Sequence, residues 1–148
     1  VKIKFKKLAE ESKLPSYNHA TDSGIDFFSY EGGEILPGKT EMISTKIAWE
    51  PTDEEQFYNF RFKTLLKIEG RSSLGKKGID VLGGIIDQDY RGEIKVLLHN
   101  SSDETFRYSK WDKIAQGIIY SIPKVEIIEV NFLSDTERGE KGFGSSGK

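Results

Sequence analysis

Apolar and polar residues alternate along most of this chain. Val1, Ile3 and Phe5 are separated by lysines; Ile43, Thr45, Ile47 and Trp49 repeat the pattern, as do Tyr58, Phe60 and Phe62 against Asn59, Arg61 and Lys63. Ile94, Val96 and Leu98 follow, then Val125 and Ile127. A period of two sends successive side chains to opposite faces, which marks a strand buried on one side. Turn signals separate the runs: Glu31-Gly32-Gly33, Leu36-Pro37-Gly38-Lys39, Glu69-Gly70, Leu82-Gly83-Gly84 and Asn100-Ser101-Ser102-Asp103. No long amphipathic helix is evident, and only Ser72 to Lys77 has room for a short helical turn. Many short strands between regular turns predict an all-β sandwich or barrel of jelly-roll type. No repeat or low-complexity linker divides the chain, so residues 1–148 are expected to form one domain with a mobile C-terminal arm over 137–148.

Composition narrows the chemistry. The 148 residues suffice for one core that removes about two-thirds of the unfolded surface from water. There is no cysteine, and His19 and His99 are the two histidines, so a zinc site lacks its usual thiolate and imidazole ligands. A net charge of −2, with acids and bases interspersed, argues against direct nucleic-acid binding, which goes with a basic excess. Any anion must then be held by a few local cations. Val1-Lys2-Ile3-Lys4-Phe5 has no apolar run of signal-peptide length and no later segment approaches a membrane span. An intracellular protein, cytoplasmic or nuclear, with no membrane partner is expected. Pro51-Thr52-Asp53-Glu54-Glu55-Gln56 reads as a solvated loop.

Four stretches hold residues that strand formation does not require. Gly70-Arg71-Ser72-Ser73-Leu74-Gly75 sets an arginine and two hydroxyls at a possible helix start, a combination that receives phosphate on backbone amides or serves as a capped turn. Between Gly83 and Glu93, two carboxylates (Asp87 and Asp89), Tyr90 and Arg91 crowd a hairpin, where an Asp-x-Asp pair can also simply cap backbone amides. Gln116 interrupts an apolar run, as a structural hydrogen bonder or a ligand contact. The tail places Arg138, Phe143, Ser145 and Ser146 among glycines. Glycines let successive amides converge on an anion, and the arginine and hydroxyls add donors for phosphate oxygens. A ring flanked by glycines can lie flat on a planar ligand. On its own, such a tail reads as a disordered terminus.

Taken in order with the segment from His19 to Phe27, these stretches resemble the five motifs of the trimeric deoxyuridine triphosphatases (dUTPases). His19-Ala20-Thr21-Asp22-Ser23-Gly24-Ile25-Asp26-Phe27 is similar to the first, Gly70 to Gly75 to the second, and Gly84-Ile85-Ile86-Asp87-Gln88-Asp89-Tyr90-Arg91-Gly92 to the third. Trp111-Asp112-Lys113-Ile114-Ala115-Gln116 resembles the fourth and Arg138 to Gly147 the fifth. The resemblance implies a jelly-roll-like distorted barrel, assembled as a homotrimer whose sites are shared between subunits. It implies hydrolysis of dUTP to dUMP and pyrophosphate by in-line attack of water on the α-phosphorus, which limits uracil in DNA and supplies dUMP for thymidylate synthesis. Asp87 becomes the carboxylate that activates the water, Tyr90 the wall against a ribose 2′-hydroxyl, and the backbone of Leu82, Gly83 and Gly84 the partner of uracil. Arg71, Ser72, Ser73 and Gln116 would hold the phosphates. Arg138, Gly144, Ser145 and Ser146 would close on their far end, with Phe143 over the base. Mg²⁺ is the implied cofactor, with Asp26 acting on it through water.

Two departures accompany the resemblance: Trp111 stands where the family usually has glycine, so a local change of turn is expected, and the segment 49–69 is longer and more aromatic. Two alternatives share the fold. A dCTP deaminase-like enzyme also resembles the Gly-Arg-Ser-Ser segment but would release ammonia, and the Ile-Asp-x-Asp-Tyr-Arg-Gly hairpin and the Phe143 tail argue against it. A non-catalytic nucleotide-sensing jelly-roll module would have no use for a water-activating carboxylate.

Overall fold

The computed structural model describes residues 2–52, 62–140 and 142. Along the chain run β1 (Ile3–Lys7), β2 (Ile25–Phe28), β3 (Gly33–Ile35), β4 (Thr40–Ser44), β5 (Ile47–Pro51) and β6 (Phe62–Glu69). A single helical turn, α1 (Ser72–Gly75), falls where the short turn was expected. Then come β7 (Ile79–Leu82), β8 (Ile85–Ile86), β9 (Lys95–Asn100), β10 (Phe106–Tyr108) and β11 (Lys113–Pro123). The pairings are antiparallel and form the sheets β2-β11-β6-β8, β4-β9-β7, β1-β5 and β3-β10. Inward side chains from all four meet in one core, in which Phe27, Ile35, Ile47, Trp49, Leu66, Ile68, Ile94, Leu98 and Ile114 are at most 2% exposed. Small twisted sheets wrapped around one apolar centre make the all-β, jelly-roll-like barrel that the alternation predicts. No helix among the described residues is long and apolar enough to cross a membrane.

Two alternating runs do not become the expected strands. The run from Ile43 to Trp49 breaks into β4 and β5 at a corner where Lys46 has a φ of 52°. The Lys46 amide donates to Glu93 Oε1 at 2.9 Å, the Ser44 hydroxyl donates to the same oxygen, and the Thr45 hydroxyl donates to Ile94 O. The chain thereby changes partner, from β9 to β1. Burial disfavours the Glu93 charge, but the bonds from Ser44 and Lys46 outweigh it and hold this carboxyl below the usual range. Alternation persists through the corner because Thr45 stays buried on the same side as its apolar neighbours.

Val125 and Ile127 belong to no strand. They follow β11 in an irregular stretch, 124–140, and are 72% and 92% exposed. An apolar alternation becomes a strand only where a neighbouring edge and a covering face exist, and the described residues offer neither here. Of the run Tyr58 to Phe62, only Phe62 falls within the described residues, where it opens β6.

Candidate active site

Strand register assembles the first group of predicted residues. β2, β11 and β6 lie side by side, with Asp26 opposite Gln116 and Gln116 opposite Glu69. Gly70 and Arg71 follow Glu69 directly, and α1 carries Ser72 and Ser73. Gln116 Nε2 donates to Gly70 O at 2.8 Å, which ties the middle strand to the turn. Gly24 leaves room for that amide, since a Cβ at position 24 would collide with the Gln116 side chain. Asp26 is 7% exposed and binds two cations, Arg71 through Nε at 3.2 Å and Lys113 through Nζ at 2.7 Å, one on each carboxylate oxygen. Arg71 Nη1 also donates to Lys113 O at 3.3 Å, and Lys113 Nζ donates to Asn18 Oδ1 at 2.9 Å. These residues, with Asp22, Ser23, Ser72 and Ser73, line a cleft of about 330 Å³.

The hairpin residues stand elsewhere. β7 and β8 join at Gly83 and Gly84, whose φ values are 69° and 90°, and Ile68 N donates to Gly84 O at 2.7 Å. Leu82, at the end of β7, is 44% exposed. Beyond β8, Tyr90 N donates to Asp87 O at 3.1 Å, and Thr64 N donates to the Gln88 side chain at 3.1 Å. Asp87 lines a second cleft, of about 310 Å³, with Lys63, Thr64, Leu65, Gln88, Asp89 and Ile122. The Tyr90 ring folds over Gly92, its hydroxyl donating to Glu93 O at 3.0 Å. Arg91 braces this turn, donating to Gln88 O at 2.6 Å and reaching Glu50 at 3.7 Å. Thr64 lies six positions before Gly70 along β6, about 20 Å at the usual strand rise. One copy of the chain therefore keeps Asp87 well away from the Arg71 cleft. Arg138 lies in the exposed stretch 124–140, while Phe143, Gly144, Ser145 and Ser146 fall outside the described residues.

Sequence reasoning missed Lys113 and Asn18. In a regular strand, Lys113 and Gln116, three positions apart, point to opposite faces. A β-bulge between Lys113 and Ala115 adds one residue, so both side chains reach the same cleft. Trp111 has a φ of 69°, the left-handed conformation that suits glycine, and its amide donates to Ser29 O at 2.8 Å. The departure lies in the indole, whose Nε1 donates to Glu11 O at 3.1 Å.

Among the described residues, no three His, Cys, Asp or Glu side chains gather into a possible metal site. With both Asp26 oxygens on cations, this donor set does not fit a protein-built metal cage.

A sequence model of the dUTPase family matches residues 10–147. The chain belongs to the dUTPase family. It is 46% identical over 151 residues to the deoxyuridine 5′-triphosphate nucleotidohydrolase of Nautilia profundicola, covering 100% of both chains. Its fold is similar to that of a mutant dUTPase from Staphylococcus bacteriophage 80alpha solved with dUpNHpp, with a TM-score of 0.85 and 27% identity over 99% of each chain. A mutant dUTPase from phage phi11 of S. aureus, a structure that reveals the coordination of a structural Mg(II) ion, shares the fold at a TM-score of 0.78 and 21% identity, over 91% of this chain and 100% of that one.

Proposed function

We propose that this member of the dUTPase family hydrolyses dUTP to dUMP and pyrophosphate. The observation that carries the proposal is the cleft in which Arg71, Ser72, Ser73 and Gln116 converge, a donor set suited to phosphate oxygens, in a chain that matches the family from residue 10 to 147. Asp87 takes a proton from a water as the water oxygen bonds to the α-phosphorus. The bond from that phosphorus to the bridging oxygen breaks on the opposite side, and pyrophosphate leaves. Arg71, the two serine hydroxyls, Gln116 and Arg138 hold the charge that collects on the departing phosphates. The backbone of Leu82, Gly83 and Gly84 pairs with the uracil edge. Cytosine in that place leaves buried groups unpaired, a penalty of about 10⁴–10⁵ in specificity at sites built for hydrogen bonding. The arm over 137–148 closes on the bound nucleotide through Phe143, Gly144, Ser145 and Ser146.

The active unit is a homotrimer with sites shared between subunits. The distance between the Asp87 and Arg71 clefts supports this, because a single substrate must reach both. Exposed Val125, Ile127, Ile128, Val130, Phe132 and Leu133 add a reason, since so much apolar side chain in one stretch favours a covering partner. Mg²⁺ would bind with the triphosphate and offset its charge, because the carboxylates of the described residues form no cage for it. The protein acts inside the cell, in cytoplasm or nucleus, on a free nucleotide, without direct contact with nucleic acid or membrane.

Purified protein given dUTP, dCTP, dTTP and UTP, with pyrophosphate and ammonia followed separately, tests the proposal. Pyrophosphate from dUTP alone is expected; ammonia from dCTP, or no product from any of the four, overturns it. Tyr90→Ala is expected to narrow the preference for dUTP over UTP, because the ring braced on Gly92 and Glu93 is the wall against the 2′-hydroxyl. Steady-state kinetics on both nucleotides checks it, and an unchanged ratio in a folded variant assigns that discrimination to another residue. Gly24→Ala is expected to push the Gln116 amide off Gly70 and weaken dUpNHpp binding about fivefold, as for one lost hydrogen bond, with little change in melting temperature. Calorimetric titration beside thermal unfolding reads both.

A further inference from the structure

Resting on the dUTPase reading, we propose that Lys113 is a phosphate-binding residue of this site and that Asp26, with Asn18, is the clamp that holds it ready. Arg71 alone does not leave the cleft positive. Its guanidinium sits 3.2 Å from Asp26, and an arginine–carboxylate pair has no net charge to offer a triphosphate. The second cation changes the balance at Asp26: one carboxylate shared between Arg71 and Lys113 leaves one positive charge in excess there, while Asp22 brings the lining as a whole to neutral. Asp22, on the same rim, has its carboxylate on the His19 amide at 2.8 Å.

The Lys113 ammonium has three protons. Asp26 at 2.7 Å and Asn18 at 2.9 Å engage two, leaving the third for an anion in the cleft that Lys113 lines with Ser72, Ser73 and Gln116. A lysine fixed at two points has lost most of its rotamer freedom before the ligand arrives, so less entropy opposes binding. Placement of the residue depends on the bulge in β11, which brings Lys113 to the side occupied by Gln116. Asp26 then acts as counter-ion to two phosphate-binding cations.

The test compares Lys113→Gln and Lys113→Arg with the unmodified chain, using dUpNHpp with Mg²⁺ in calorimetry and deoxyuridine, which has no phosphate, in NMR titration. Lys113→Gln is expected to bind dUpNHpp about tenfold more weakly, the scale of one charge-assisted contact, and deoxyuridine unchanged, while Lys113→Arg recovers most of the loss. An unchanged dUpNHpp affinity overturns the proposal, as does an equal loss for both ligands, which marks a distorted site and not a missing charge. Turnover of dUTP by the unmodified chain is measured alongside: no turnover with intact dUpNHpp binding and the expected Lys113 pattern contradicts hydrolysis and leaves the role of Lys113 standing.

Discussion

Asp87→Asn is expected to lower kcat for dUTP by at least about 10², while dUpNHpp still binds. The substitution keeps the shape of the side chain and removes its capacity to take a proton. Local structure tolerates it, because the turn is closed by the Asp87 carbonyl, which accepts from Tyr90 N at 3.1 Å, and by the Gln88 and Arg91 side chains. Asp87 lines the cleft beside Thr64. Single-turnover kinetics separates chemistry from binding, and a variant with near-normal turnover removes Asp87 from the mechanism.

Gly84→Ala is expected to cost both stability and activity. Gly84 has a φ of 90°, a conformation strained for any residue with a Cβ, and a Cβ there would run into the Ile68 carbonyl. The same approach carries the Ile68 N to Gly84 O bond of 2.7 Å, which helps to hold the two-residue strand β8 on β6. Strain and the lost backbone bond together amount to about 2–4 kcal/mol. The hairpin proposed to pair with uracil then leaves its place, so kcat/KM should fall by more than about 10², as expected when a site's hydrogen-bonding groups are lost. Thermal unfolding and dUTP kinetics on the same preparation check this; an unchanged melting temperature with full activity would show that the hairpin tolerates a side chain at position 84.

Sequence alternation is a local signal, and it revealed what local rules decide. β1 and the buried Ile94-Val96-Leu98 stretch follow it directly, as does the helical turn after Arg71. It could not reveal the corner at Thr45 and Lys46, because burial continues through the bend and the cause is a distant carboxylate, Glu93. Nor could it exclude Val125 and Ile127 from a strand, since that depends on whether another edge lies within reach. The site shows the same division. Motif order identified Arg71, Ser72, Ser73 and Gln116 as one group, and the register of β2, β11 and β6 brings them together. That Asp87 lies in a separate cleft, beside the part of β6 remote from Gly70, follows from the register of β8 on β6 and has no signature in motif spacing. Lys113 was hidden by its odd separation from Gln116, which only the bulge reconciles. Trp111 looked like a break in the fourth motif, yet its backbone adopts a left-handed conformation and its indole is anchored on Glu11.

The most direct measurement is hydrolysis of dUTP in water enriched in ¹⁸O, with the two products separated and their masses determined. Attack on the α-phosphorus places one labelled oxygen in dUMP and none in pyrophosphate, which is the expected result. Label in pyrophosphate means that water attacked the β-phosphorus, and labelled orthophosphate means attack at the γ-phosphorus. Either outcome contradicts an Asp87-activated water directed at the α-phosphorus.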